Sequence, residues 1–271
     1  MYAFVSDRQF DPCPLVVAFD GWVDAASVGS SVAAHLATGA MEVVEFDSDE
    51  VFDYRANRPV VDFVAGRLSD LTLPQLSIAF TQPGSVPLMV MQGTEPGFRW
   101  KALGEAMVDI TRRIETTELI CIGAVPSAVP HTRPTRIMAT SSVDGFVSDD
   151  APPGLLRVPG AAVTNLEWHL AQSGLPTYGF WAQIPHYVTG PYPQAMVALI
   201  ERVGCHLGRE LLLGDLPSDA MRQRSELDEM ARENSEMTEH LKRLESLTEP
   251  QDIPTAEELG SEIEDFLRGE E

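Results

Sequence analysis

The sequence predicts an α/β fold, with a mixed, mostly parallel central sheet flanked by helices and an α-helical C-terminal extension. Three observations carry that reading. Short runs of apolar, β-branched and aromatic residues recur through the first 214 positions. They alternate with stretches whose apolar residues fall at helical spacing, the order expected of an α/β core. Beyond residue 214 the runs stop, and dense charge with a heptad-like apolar spacing replaces them. The domain division that follows is an α/β core over 1–214 and an acidic helical extension over 215–271.

The elements follow in order. Residues 14–19 form an apolar run closed by Asp20-Gly21 and read as a buried strand. A helix over 24–37 comes next, with Asp24 in the N-cap position and Gly39 as its C-cap. A strand over 41–46 completes a β-α-β unit, for which parallel pairing and a right-handed crossover are expected. Strands over 59–64, 76–80 and 86–91, joined by turns such as Gln82-Pro83-Gly84, point to an antiparallel extension or a partly closed sheet. An amphipathic helix over 99–116, a buried strand over 119–123, a strand over 135–141 and a loop over 149–154 follow. A helix over 161–172, a buried strand over 178–182 and a long helix over 193–212 complete the core.

The extension reads as helices over about 217–247 and 255–268. In the first, Leu227, Met230, Asn234, Met237, Leu241 and Leu244 fall at alternating spacings of three and four, a coiled-coil seam with a polar Asn234 in it. An amphipathic helix docked on its own core or on a neighbouring subunit has the same pattern, and docking is the favoured reading. After Pro250 and Pro254, Thr255 to Glu258 spell a capping box, and Leu259, Ile263, Phe266 and Leu267 share a face.

The 271 residues carry 41 acids against 19 bases, a formal charge of −22. Half of that charge sits on residues 217–271, with 17 acids and 6 bases. Such a chain is not expected to hold a nucleic-acid backbone or an anionic membrane by bulk electrostatics. The sequence has no basic head followed by an apolar core at its start, and no apolar run of the roughly 20 residues that a helical membrane span needs. A cytoplasmic location is the expectation. Cys13, Cys121 and Cys205 are scattered and odd in number, which argues for incidental thiols in place of a disulfide framework.

Ligands of parallel sheets bind beyond the carboxyl ends of the strands, so function is sought in the loops there. Those loops hold Trp22 and Asp24, then Glu95 with Trp100, then His131 and Arg133, then His186 and Tyr187. Acid, base, cation and aromatic side chains of this kind make a binding pocket when they converge. Each has a plainer role: Asp24 as a helix cap, the tryptophans as core or interface, the histidines as partners of backbone carbonyls. No nucleophile elbow, GxGxxG or GxxxxGK[ST] pattern is present, and the spacing of the histidines and carboxylates does not favour metal. No cofactor is therefore expected, and a non-catalytic role is favoured.

Several stretches together resemble the proteasome assembly chaperone 2 family, in its bacterial and archaeal branch. They are Gly21-Trp22 with Asp24-Ala25, Phe52 to Pro59, Gly93 to Pro96 with Trp100, Pro130 to Pro134, and Trp181 to Val188. The resemblance spans about residues 15–200. It implies a fold like that of purine nucleoside phosphorylases and a homo-oligomer, a trimer by that fold relation. It implies a protein partner related to proteasome assembly and a chaperone-like role. The chain ends Phe266-Leu267-Arg268-Gly269-Glu270-Glu271, without the penultimate tyrosine by which proteasome-docking relatives insert into α-rings. The alternative is a small-molecule, nucleoside-like binding protein or enzyme that uses the loop rim. A third reading makes the rim a rigid oligomer interface that binds nothing.

Overall fold

A computed structural model describes residues 1–146, 151, 152 and 154–247. The expected helix over 255–268 with its capping box, and part of the expected loop over 149–154, lie outside the described residues. The chain divides into two compact units. One holds Met1–Trp22, Ala33–Cys121 and Gly160–Thr177; the other holds Val23–Val32, Ile122–Pro159 and the chain from Tyr178 on.

The first unit is built on a sheet of β1 (Tyr2–Phe4), β2 (Cys13–Val17), β3 (Met41–Phe46), β6 (Leu76–Thr81), β7 (Leu88–Gly93) and the start of β8 (Thr116–Ser127). Their spatial order is β1-β3-β6-β7-β2-β8. A hairpin of β4 (Val60–Val64) and β5 (Arg67–Thr72) forms a separate two-stranded sheet. In the main sheet β2 is parallel to both β7 and β8, with Leu15 opposite Met89 and Leu119. Leu15, Val16 and Val17 are all buried, so β2 is apolar on both faces, as a central parallel strand must be. Towards β1 the pairings turn antiparallel: β7 with β6, β6 with β3, and β3 with β1. Helices α2 (Ser48–Val51), α3 (Trp100–Arg113) and α4 (Ala162–Gln172) complete this unit. α3 packs against α4 where Gly104 leaves room for the His169 ring.

The second unit carries the rest of β8, then β10 (Thr177–Pro185) and β9 (Ile137–Ser141) in the order β8-β10-β9. β9 and β10 are antiparallel. Helix α5 (Pro193–Leu207) packs against α6 (Leu216–Glu233), which is followed by α7 (Ser235–Leu247). Helix α1 (Val28–Leu36) has residues in both units.

The mixed α/β sheet agrees with the fold expected from the sequence. Several local expectations are corrected. Strand β3 does not pair with β2: β7 and β6 stand between them, and β3 pairs with β6 and β1. Local pattern specifies a strand, whereas its neighbour is set by long-range register. The helix expected over 24–37 begins at Val28, after a 3-10 turn over Ala25–Ser27 whose Ala26 and Ser27 have φ of 55° and 52°. The helix expected to reach 212 ends at Leu207, because Gly208 takes the left-handed conformation that closes it. The helix expected over 217–247 is broken at Asn234, whose extended backbone ends α6 while its Oδ1 accepts the N–H groups of Glu236 and Met237 to start α7. The strand over 67–72 lies outside the elements that the sequence predicts; it forms because Ala65-Gly66 turns the chain back on β4. Among the described residues no helix is long and apolar enough to cross a membrane.

Candidate functional site

The eight residues that the sequence places at the strand ends fall into two groups. Trp22, Glu95 and Trp100 belong to the first unit; Asp24, His131, Arg133, His186 and Tyr187 belong to the second.

In the first group the Glu95 carboxylate is a backbone clamp. One oxygen accepts the Trp22 N–H at 2.6 Å, and the other accepts the N–H of Ala162, the first residue of α4, at 2.7 Å. A carboxylate at a helix N-terminus satisfies an orphan donor and suits the positive end of the helix dipole. The approach requires Gly21, where a Cβ would overlap the Glu95 side chain. Glu95 itself is fixed by its N–H to the Asp20 carbonyl, and Asp20 bridges to Thr94 in parallel register. The Trp22 ring stays half-exposed, while Trp100 opens α3 and donates Nε1 to the Pro96 carbonyl at 2.6 Å.

In the second group Asp24 is buried and serves α1. Its carboxylate accepts the Ser30 N–H at 3.0 Å and the Ser30 hydroxyl at 2.5 Å. It thus supplies a first-turn acceptor from outside the usual N-cap position, across the left-handed Ala26-Ser27 step. Gly29 and Gly123 meet closely here, and a Cβ on Gly123 would press on the Val23 carbonyl and the Trp181 ring.

His131 is fully buried and ties the loop after β8 to the C-terminal helices. Its N–H donates to Tyr187 Oη at 2.7 Å, and Tyr187 Oη lies 2.8 Å from its Nδ1. Its Nε2 faces Asp228 Oδ1 of α6 at 3.2 Å. One proton arrangement satisfies every member: the Tyr187 hydroxyl donates to Nδ1, and Nε2–H donates to Asp228, leaving a neutral ring. Burial holds the His131 pKa below its ordinary value, against the opposing pull of Asp228. Burial likewise pushes the Tyr187 phenol up to about 12. Arg224 secures the joint by donating Nε to Asp228 and Nη1 to the His131 carbonyl at 2.8 Å. Thr132 adds a 2.5 Å hydrogen bond to Glu245 of α7.

His186 is exposed and stacks edge-on against Tyr187 and against His240 of α7, with ring centres 5.5 and 5.1 Å away. Arg133 is exposed and borders a groove of about 1100 Å³ between the 129–137 segment and α5. Of the seam residues, Leu241 and Leu244 are buried and Leu227 and Met237 partly so, whereas Asn234 and Met230 face outward. The buried face of α6 runs instead through Ala231. The structure therefore docks α6 and α7 on their own unit through a polar joint that the apolar pattern did not reveal. Arg224 and Asp228, four apart on α6, were the available signal, an i,i+4 ion pair whose acid turns inward to a histidine.

Comparisons with known proteins agree with this architecture. The PAC2 family model matches residues 18–231. A Mycobacterium tuberculosis protein of unknown function is 31% identical over 91% of this chain and 87% of its own, with a TM-score of 0.83. A protein of unknown function from Corynebacterium glutamicum is 29% identical over 93% and 99%, with a TM-score of 0.85. A proteasome-assembly chaperone homologue from Mycobacterium tuberculosis is 30% identical over 84% and 99%, with a TM-score of 0.75. No curated protein matches the sequence.

Proposed function

Because the chain belongs to the PAC2 family, we propose that it is a chaperone-like, protein-binding subunit that works as a homo-oligomer, a trimer by the fold relation. What supports this reading is the use made of the candidate acid-base groups. Glu95 is engaged by two backbone N–H groups, Asp24 by Ser30, and His131 by Tyr187 and Asp228. General acid-base chemistry needs a group within reach of a substrate proton, and these three are committed to the protein's own frame. The 30% identity to a proteasome-assembly chaperone homologue points the same way. The partner is a protein related to proteasome assembly, reached in the cytoplasm, and neither nucleic acid nor membrane is its target.

The experiment is affinity capture of the tagged full chain from its native cells, with light scattering of the purified protein in parallel. Expected are an oligomeric mass and a stoichiometric protein that survives moderate salt. A monomer with no stoichiometric partner would overturn the proposal. So would a nucleoside that raises the melting temperature of wild type and fails to do so in Arg133→Ala.

A further inference from the structure

The groove beside α5 has two unlike walls. One is an outward row of α5, with Val197, Ala198, Glu201 and Cys205, while Leu199, Ile200 and Val203 turn inward. The other is the 129–137 segment, which adds apolar Val129 and Ile137 and carries Arg133 and Arg136. Among the described residues no ion pair engages either guanidinium. Arg202 also borders the groove, with its guanidinium over the Phe180 ring. Three arginines against one glutamate give this groove a positive balance in a chain of net charge −22.

Helix α7 ends beside this groove. The Thr132 hydroxyl donates to Glu245, Thr132 directly precedes Arg133, and Leu247 closes α7 two residues after Glu245. Residues 248–271 follow, with nine acids and one base. The stretch 248–254 reaches up to about 24 Å when extended, so residue 255 has the whole groove within range.

The sequence of 255–268 matches what the groove offers. At helical spacing Leu259, Ile263, Phe266 and Leu267 make an apolar stripe. Glu258, Glu262 and Asp265 make the column directly beside it, and Ala256 and Gly260 border its other side. Stripe and acidic column are neighbours on the helix surface, so one groove receives both. The stripe meets the apolar lining, the acids meet the arginine wall, and the small uncharged border meets the wall of Glu201. A helix over 255–268 is about 20 Å long, and the α5 wall from Gln194 to Cys205 is about 17 Å. A stretch this short, with Gly260 inside it, is marginal as a helix in water and needs a surface to fold on.

We propose that residues 255–268 seat as a helix in the Arg133/Arg136 groove of their own chain. The tether selects the occupant: a linker of this length holds the segment at an effective concentration on the order of millimolar, above what a second copy reaches in dilute solution. The groove is then a self-covered surface, and any protein that binds there competes with 255–268. The contact lies within one protomer and is the same in a monomer or an oligomer, so it stands apart from the oligomeric reading above.

Cys205 reports on the groove, because Cys13 and Cys121 are buried. In the full-length chain a maleimide should label Cys205 about 10-fold faster in Ile263→Asp with Phe266→Asp than in wild type. Arg133→Glu with Arg136→Glu should also accelerate labelling, against the direct effect of added negative charge, which disfavours the thiolate. Adding Glu258→Arg, Glu262→Arg and Asp265→Arg to that variant should restore slow labelling. Gly260→Cys and Leu267→Cys, made separately, stand on the edge toward α5, and under mild oxidation at least one should form a disulfide with Cys205 within a single chain. Equal labelling rates in wild type and all variants would overturn the proposal, since 255–268 then covers nothing. A disulfide formed only between chains would put a second copy in the groove and overturn it likewise. Light scattering on the same samples separates this contact from assembly: faster labelling at unchanged mass supports the proposal, and faster labelling only on dissociation assigns the cover to a neighbouring copy and overturns it.

Discussion

The β4–β5 hairpin and the C-terminal helices invert what their compositions suggest. The hairpin is rich in Val, Phe and Leu yet exposed along its whole length. The extension holds half of the chain's net charge, and its α6 and α7 carry 8 acids and 5 bases, yet these helices are packed on their own unit with Ala231, Leu241 and Leu244 buried. The difference lies in the partners available within the chain. Asp228, Arg224 and Glu245 of the extension find a buried imidazole, a backbone carbonyl and a threonine hydroxyl; among the described residues both strands of the hairpin stay exposed along their whole length. Apolar content sets how much stabilisation burial offers, but only a complementary surface realises it.

Mutations test that contrast from both sides. The largest effect is expected in α7, where Leu244→Ala removes a buried side chain and should cost about 2–4 kcal/mol in urea unfolding. The matching change in the hairpin, Leu68→Ala, should move the stability of dilute protein by less than about 0.5 kcal/mol. Equal losses at the two sites would break the comparison.

His131→Ala comes next. It removes the ring that links the Tyr187 hydroxyl to the Asp228 carboxylate, leaving the first only the residue 131 N–H and the second only Arg224, and should cost about 2 kcal/mol. Limited proteolysis should then cut within α6–α7 faster than in wild type, with the first unit unaffected. Uniform acceleration across the chain would show that the joint holds more than the extension.

Thr132→Val should cost about 1 kcal/mol through the lost bond to Glu245. Glu245→Gln in the Thr132→Val background should add little, since the two share one interaction. Additive losses would place Glu245 in a separate role.

The smallest effect concerns pH. Burial holds both His131 and His240 below the ordinary imidazole value of about 6.5. As pH falls below about 6.5 the unfolded chain takes up these protons before the folded one does. Their contribution to stability is therefore complete above that pH and declines beneath it, down to the folded pKa values. The melting temperature should drop on acidification through this window, and His131→Gln should flatten the slope. An unchanged slope would remove His131 from the account.

Much of the fold was legible locally. The apolar runs at 14–19 and 119–123 became the buried strands β2 and β8, and the amphipathic stretch near 100–113 became α3, because spacing alone fixes which residues can share a buried face. The strand over 67–72 is not legible in the sequence, because Arg67, Ser69 and Asp70 dilute its apolar pattern; only the turn at Ala65-Gly66 signals it. Of the candidate residues, Asp24, Glu95 and His131 were visible as polar groups at strand ends. Their work was not, since Ala162, Ser30, Tyr187 and Asp228 are identified as partners by contact and not by proximity in sequence.

The sequence by itself determined the α/β class, most element positions, the acidic extension and the family resemblance, each a matter of residue type and local period. Tertiary structure decided that β3 pairs with β6 and not with β2, that Asn234 divides the extension, and that the charged helices dock while the apolar hairpin is left uncovered. Those outcomes depend on which distant groups meet, and a local pattern holds propensity and periodicity but not the register or burial that long-range packing imposes.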